Sequence, residues 1–471
     1  MIAESAERLV MPVNPARDAE LEAALARFVA DNRLPGASAA VVLGGELAWS
    51  SQLGFADVAA GLPSGRATLY RIASITKTFT ATAVVQLRDA GRLALDDPAV
   101  SYLPELRRAA SPFGPIDAVT IRRMLCHESG LSIDPPGTDW SYSRYQGSPE
   151  VTLANAGDLA VKVAPESQHK YSDLAYQLLG EIISRVSGVP YPRYIHEAIL
   201  DPLGMSATGF EPLAEPLRER CATGYDWPGL SGEFRSVPEL PPVWAEGGLW
   251  SSADDLARWI SFQLAAHREP SGDPRVLAPE SLREMHKPRY LADELWTTAR
   301  GISWCGERRD DRVWIQHAGG LPGFTSNLCF DPARGVGAVV LVNGTCGGAD
   351  VAFDLASIAG RFAPASPSAV EVPAPVPTEY APLLGLYIRP QQGGWTFRLE
   401  WQGQLVFVSA EAPGWKLALL PTADPDVFTV EPGSSFAGED VVFSRLADGR
   451  VASVLFVESS FVRLDVAADA G

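Results

Sequence analysis

Hydrophobic positions along the first third of the chain change period several times. Residues 18–31 (DAELEAALARFVAD) place Leu21, Leu25, Phe28 and Val29 on one helical face. Two strand-like runs follow, ASAAVVL and ELAWSSQLGFAD, separated by Gly44-Gly45. This predicts a helix and then a hairpin. A long helical pattern runs over 74–90 and closes at Gly91. Residues 111–240 mix helices with Pro- and Gly-rich loops around one buried helix at 173–186 (DLAYQLLGEIISRV). Another helix is predicted over 252–264, with Asp254 and Asp255 in its first turn, where the helix dipole favours acid. From Val313 the pattern returns to strands (VWIQHAGG, TSNLCFDP, GVGAVVLVNG), and 351–362 reads as a closing helix. A sheet made from both chain ends, with helices between, predicts a layered α/β domain rather than a βαβ repeat.

Residues 362–377 hold five prolines and no periodicity, which predicts a linker. Beyond it come evenly spaced alternating runs (WTFRLE, QLVFVSA, WKLALLP, VFTVE, DVVFSRL, ASVLFVES, FVRLDVA), the pattern of a small barrel or sandwich. The expected division is a domain at 1–362, a linker at 363–377 and a β domain at 378–471.

A chain of 471 residues with 46% apolar content fits two domains. Its net charge of −18 argues against nucleic acid and anionic membranes as partners, since both need clustered positive charge. The five cysteines are scattered without a C-x-x-C pair, so neither a disulfide framework nor a zinc site is expected. No run of about 18 uncharged apolar residues occurs, and no basic start precedes an apolar segment. A cytoplasmic location is the expectation, although a secreted protein whose leader had been removed would read the same. There are only five lysines, Lys77, Lys162, Lys170, Lys287 and Lys416. Arginine is the routine cation here, and unlike arginine a buried lysine can give up its proton.

Three short motifs carry candidate chemistry. Ser74-Ile75-Thr76-Lys77 puts a serine and a lysine on one helical face at a helix start, where free N–H groups favour developing negative charge. A lysine held in an apolar helix can have its pKa lowered enough to take the serine proton. The same spacing recurs as Ser167-Gln168-His169-Lys170, in a polar loop without an apolar helix behind it. Tyr171-Ser172-Asp173 precedes the buried helix, and a tyrosine near a lysine cation can act as a general base. In His317-Ala318-Gly319-Gly320 the glycines allow close backbone approach, and the Gly320 N–H with that of Ser74 would make an oxyanion hole. Taken singly, each motif is matched by a bland reading: a chance Ser-x-x-Lys, a tyrosine at a helix entry, a packed strand histidine.

Together, Ser-x-x-Lys, Tyr-x-Asp and His-x-Gly resemble the class C β-lactamase superfamily, which includes D-aminopeptidases, family VIII carboxylesterases and penicillin-binding-protein-type thioesterases. YRIASITKTFTATAVVQLRDAGRLALDDP, LCHESGLS, EGGLWSSADDLARW and HAGGLPGFTSNLCFDP are similar to stretches of that family, over about residues 20 to 360. The resemblance implies an antiparallel sheet flanked by helices with a helical subdomain, and a lipocalin-like C-terminal barrel. It implies Ser74 as acylated nucleophile, Lys77 as proton shuttle and Tyr171 as general base. Asp173, His317, Gly319 and Gly320 would bind substrate. No metal or organic cofactor is implied. Two departures stand out. Asp173 replaces the usual Asn with an acceptor-only carboxylate, and His317 stands where many relatives carry lysine. Both weaken the case for a true β-lactamase. If Asp173 meets Lys77, as the resemblance implies, it would keep the lysine protonated to higher pH and shift the proton-accepting work toward Tyr171.

The implied activity is hydrolysis of an ester or a D-amino-acid-containing amide through an acyl-enzyme. The alternatives are acyl transfer or peptide cyclisation, which would need a carrier protein as partner, and a non-catalytic penicillin-binding scaffold. The expected partner is a small-molecule or peptide substrate, and a homo-oligomer is compatible with the sequence. His127 in LCHESG is expected to brace a loop. Trp140, Tyr142 and Tyr145 are candidates for an acyl pocket or for core.

Overall fold

The computed structural model describes residues 14–135, 148–211, 213–226, 232–238, 244–268, 276–309, 311–363, 375–389, 396–409, 415–457 and 459–464. Two compact units divide the chain, Met1–Ala363 and Pro364–Gly471. Most of the Pro-rich segment, residues 364–374, lies outside the described residues, as do Trp140, Tyr142 and Tyr145.

In the first unit, β1 (Gly36–Leu43) and β2 (Glu46–Asp57) form the predicted hairpin, followed by β3 (Leu62–Pro63). Strands β4 (Tyr70–Arg71) and β5 (Trp250–Ser251) pair separately. The sheet continues with β6 (Tyr290–Leu291), β7 (Thr298–Arg300), β8 (Cys305–Arg309), β9 (Arg312–Leu321), β10 (Phe324–Asp331) and β11 (Val336–Val342). Nine strands are ordered β3-β2-β1-β11-β10-β9-β8-β7-β6, with β1 antiparallel to β11 so that both chain ends meet at the centre. Every residue of β1 and β11 is buried, because helices cover both faces. Val41 and Val340 pack toward the Pro15–Asp31 and Val351–Arg361 helices, while Val42 and Leu341 pack into the larger core with the Ala253–Ala265 helix.

Local chemistry sets the helix ends. Asn14 accepts the Arg17 N–H ahead of Pro15. Ser172 accepts the Ala175 N–H to start Asp173–Ser187, which stops at Gly188 in the left-handed region (φ 77°). Ser252 caps Ala253–Ala265, with Asp254 and Asp255 in the first turn as expected. The pattern predicted over 74–90 divides into a 3₁₀ turn, Ala73–Ile75, and an α-helix, Thr76–Asp89. Strands β6 to β8 escaped the sequence reading because they are short, partly exposed and at the sheet edge, where alternation is weak.

The second unit is a closed antiparallel barrel of eight strands in sequential order: β12 (Gly385–Ile388), β13 (Thr396–Trp401), β14 (Leu405–Ser409), β15 (Lys416–Pro421), β16 (Val427–Val430), β17 (Asp440–Arg445), β18 (Val451–Phe456) and β19 (Ser459–Arg463). Seven of these were legible as alternating runs; the four-residue β12 was not. Closure leaves no free edge. Tyr387, Phe397, Phe407, Phe428, Phe443 and Phe461 fill a buried aromatic core. Phe397 lies edge-on to Phe461 with centroids 4.9 Å apart.

The five cysteines are free. Among the described residues no helix is long and apolar enough to cross a membrane, and no cluster of three or more His, Cys, Asp or Glu side chains could hold a metal ion.

Candidate active site

Ser74 sits in the 3₁₀ turn that joins β4 to the Thr76–Asp89 helix. The turn is held from several sides. Ile72 N–H donates to Leu249 O at 3.0 Å, Leu249 N–H donates to Thr76 Oγ1 at 3.1 Å, and Ser326 Oγ donates to Ile72 O at 2.9 Å. Ala73 adopts φ 48°, a left-handed conformation unfavourable for alanine that persists only where the surroundings impose it. Gly319 of β9 is part of that imposition. A Cβ there would lie 2.3 Å from Ile72 O and 2.5 Å from Ser326 Oγ, so only glycine lets β9 approach the Ser74 turn. A Cβ on Gly320 would meet open space, and Gly320 lines the same cleft as Ser74.

Three side chains converge on the Ser74 hydroxyl and its neighbour. Lys77 Nζ donates to Ser74 Oγ at 3.0 Å, and Tyr171 Oη donates to the same oxygen at 2.9 Å. Lys77 is fully buried and lies 2.5 Å from Asp173 Oδ1. It also donates to the backbone carbonyl of Glu246. The Tyr171 ring lies 5.1 Å from the ammonium. Burial pulls the Lys77 pKa down, but the charge of Asp173, followed by that of Tyr171, more than reverses this and raises it above the usual lysine range. Of the two expectations for Lys77, a pKa lowered by the apolar helix and a proton held by pairing with Asp173, the geometry favours the second: the paired lysine keeps its ammonium form. The helix itself does not decide its charge, because a carboxylate from another helix meets it.

His317, on β9, donates from Nδ1 to Ala318 O at 2.7 Å, which leaves Nε2 as an acceptor. Burial, then the nearby Lys77 charge, holds its pKa down at about 3, so the imidazole is neutral. The cleft in front of these groups has a volume of about 780 Å³. Ser74, Tyr171, Asp173, His317, Gly319 and Gly320 all line it. The structure thus brings together every residue singled out in the three motifs.

Sequence reasoning missed two contributors. Arg300, on β7, lines the cleft, and its Nε is buried without a hydrogen-bond partner among the described residues. It supplies a cation that the histidine at 317 does not. No local signal marked it, since β7 was not predicted. Glu246, from the EGGLWSS stretch, also lines the cleft, and burial pushes its carboxyl up to about 7. His127, expected to brace a loop, is buried and stacks on Tyr171 with centroids 4.3 Å apart. The second Ser-x-x-Lys forms no helix. Ser167 is exposed and spends its hydroxyl on Ala164 O at 2.6 Å.

A layered sheet with a half-buried serine and tyrosine meeting a buried lysine at the start of the Thr76–Asp89 helix defines the class as a β-lactamase-like and penicillin-binding-protein-like serine hydrolase fold. A family model described as Beta-lactamase matches residues 21–360, and the chain belongs to that family. It is 37% identical over 266 residues to protein Rv1367c of Mycobacterium tuberculosis, a match spanning 52% of this chain and 65% of the relative. The octameric penicillin-binding protein homologue from Pyrococcus abyssi is similar over 94% of this chain and 99% of its own, at 24% identity and a TM-score of 0.62. A class C beta-lactamase is similar over 73% of this chain and 95% of its own, at 21% identity and a TM-score of 0.61. At these identities the likeness to the solved structures is one of fold.

Proposed function

We propose that the protein is a serine hydrolase that works through an acyl-enzyme on Ser74, with Tyr171 as general base and Lys77 as a neighbouring ammonium. One observation carries this reading: Ser74 Oγ lies within hydrogen-bond distance of both Lys77 Nζ, at 3.0 Å, and Tyr171 Oη, at 2.9 Å. A serine hydroxyl becomes a useful nucleophile only when a neighbouring base takes its proton. A lysine that keeps its proton cannot be that base, so the task of accepting the Ser74 proton falls to Tyr171. Ser74 Oγ attacks the substrate carbonyl while its proton passes to Tyr171 Oη. The tetrahedral oxyanion is held by the N–H groups of Ser74 and Gly320. Collapse expels the alcohol or amine, which takes the proton from Tyr171. Water then repeats the sequence on the ester of Ser74 and releases the acid.

The substrate class we favour is an ester ahead of an amide. Asp173 accepts hydrogen bonds but cannot donate one to a substrate amide carbonyl, as an asparagine would. Arg300 offers the cleft a cation, which suits substrates bearing an anionic group. We also infer a homo-oligomer from the octameric description of the P. abyssi homologue; sedimentation at two concentrations tests it, and a monomer at both would reject it.

The central test is intact mass after mixing with a chromogenic ester or a fluorophosphonate, followed by peptide mapping. One adduct on Ser74 is expected. Undiminished turnover in Ser74→Ala would overturn the reading. Including an amine in the same reaction separates hydrolysis from acyl transfer by the product formed.

A further inference from the structure

We propose that His127 is a positioning residue for the general base, holding Tyr171 against Ser74 by gripping the chain on both sides of it. This rests on the reading that Tyr171 accepts the Ser74 proton. Two hydrogen bonds straddle the tyrosine. Lys170 N–H donates to the His127 backbone carbonyl at 2.8 Å, and Ser172 N–H donates to His127 Nδ1 at 3.1 Å. Between them the imidazole lies against the phenol, with centroids 4.3 Å apart and planes 28° from parallel. The two peptides flanking Tyr171 and the face of its ring are thus fixed by one residue.

The features of His127 suit this task better than they suit packing. Its backbone is in the left-handed region at φ 58°, unusual for a residue other than glycine. That conformation turns carbonyl and side chain toward the same neighbouring segment. Because Nδ1 accepts, the proton of the neutral ring sits on Nε2, and that atom is buried without a hydrogen-bond partner. A residue chosen for packing alone would not bury an unsatisfied N–H. Histidine is the side chain that offers both a flat aromatic face and an in-plane acceptor one bond beyond Cγ. Burial, followed by the Lys77 charge and smaller contributions from His169, His317 and Arg300, keeps the ring uncharged. It therefore adds no second cation beside the Lys77 ammonium. The downstream side of Tyr171 is equally fixed: Ser172 Oγ donates to Ser132 O at 2.7 Å and caps the helix that carries Asp173.

Two substitutions separate the roles. His127→Phe keeps a ring and removes the acceptor. His127→Asn keeps an acceptor at the same distance from Cα and tolerates positive φ, but loses the ring. The readout is the rate of Ser74 labelling by a fluorophosphonate, per folded molecule by near-UV circular dichroism, together with KM and kcat on a chromogenic ester. His127→Phe is expected to slow labelling and kcat about 100-fold, the scale of a 1 Å misplacement, with KM little changed. His127→Asn should recover about tenfold of that loss. In a Tyr171→Phe background neither substitution should slow labelling further, because the residue acts through the tyrosine. Equal slowing in both backgrounds would overturn the proposal, as would a His127→Asn protein no faster than His127→Phe. If His127→Phe does not fold, His127→Asn measured with and without Tyr171→Phe decides the question by itself. Absence of any Ser74 label in the native protein is a different failure, that of the hydrolase reading.

Discussion

Two stretches of this chain carry a serine followed three residues later by a lysine, and their surroundings differ in every respect that matters to chemistry. At 74–77 the serine sits on a 3₁₀ turn leading into an α-helix, and the lysine is fully buried against Asp173. At 167–170 the chain is an irregular loop, and the Ser167 hydroxyl bonds to a carbonyl three residues back. The first serine receives two hydrogen bonds from groups able to move protons. The second has spent its own proton locally and faces water. The spacing is identical, so the motif supplies only the possibility of contact. Packing supplies the second and third partners, the dryness and the fixed geometry.

The largest effect should separate the two serines. Ser74→Ala is expected to reduce ester turnover by at least about 10⁴-fold, whereas Ser167→Ala should leave it within error of the native protein. Fluorophosphonate labelling of Ser167 would break the comparison outright.

The lysines should differ next. Lys77→Met removes a charge that holds Ser74 and Asp173, and leaves the carboxylate beside a buried apolar side chain. We expect about a 10³-fold fall in kcat/KM and a lower Tm, since breaking one side of a buried pair costs about 3–5 kcal/mol. Lys170→Met should change neither. A native-like rate in Lys77→Met would show that Tyr171 works without the ammonium.

Asp173→Asn sharpens the first site further. It restores a donor toward substrate and removes the charge that raises the Lys77 pKa. The ratio of kcat/KM for an ester to that for its matched amide should fall by roughly tenfold, about 1.4 kcal/mol. An unchanged ratio would mean that residue 173 does not face the reacting carbonyl. The stabilisation that Lys77 gains from its partner is present below the pKa of the unfolded lysine, near 10.5, and is lost as pH rises through the higher folded value. The advantage of the native protein over Asp173→Asn should therefore be largest near neutral pH and shrink as pH rises above about 10.5, which chemical denaturation at neutral and alkaline pH would expose.

The smallest effect concerns His317. Its pKa is about 3 in the fold, against about 6.5 when unfolded. Above pH 6.5 the ring is neutral in both states. As pH falls from there toward 3, the unfolded chain binds a proton that the fold refuses, and stability declines. His317→Gln should lose fewer degrees of Tm between pH 7 and about 4.5 than the native protein loses. Parallel curves would show that the imidazole can charge in place.

Much of this architecture was readable beforehand because its causes are local. Apolar period marked the Asp173–Ser187 and Ala253–Ala265 helices, and their caps Ser172 and Ser252 lie within a residue of the predicted starts. Strands β9 to β11 and seven of the eight barrel strands showed in the same way. Strands β6 to β8 did not, because short edge strands bury too little to impose a pattern. Arg300 was lost with them. The order of strands in the sheet, with β1 beside β11, belongs to contacts nearly three hundred residues apart.

At the active site the same line divides what the chain encodes locally from what folding decides. The sequence by itself determined the candidates: Ser74 and Lys77 one helical turn apart, Tyr171 ahead of a capped helix, and two glycines on a strand. These follow from spacing and propensity, which act between near neighbours. Only the tertiary structure decided their electrical state. Lys77 is charged because Asp173 reaches it from another helix, and His317 is neutral because the fold removes water and places Lys77 nearby. Charge in a buried site depends on dielectric and on distance between elements remote in sequence, and neither quantity exists until the chain has folded.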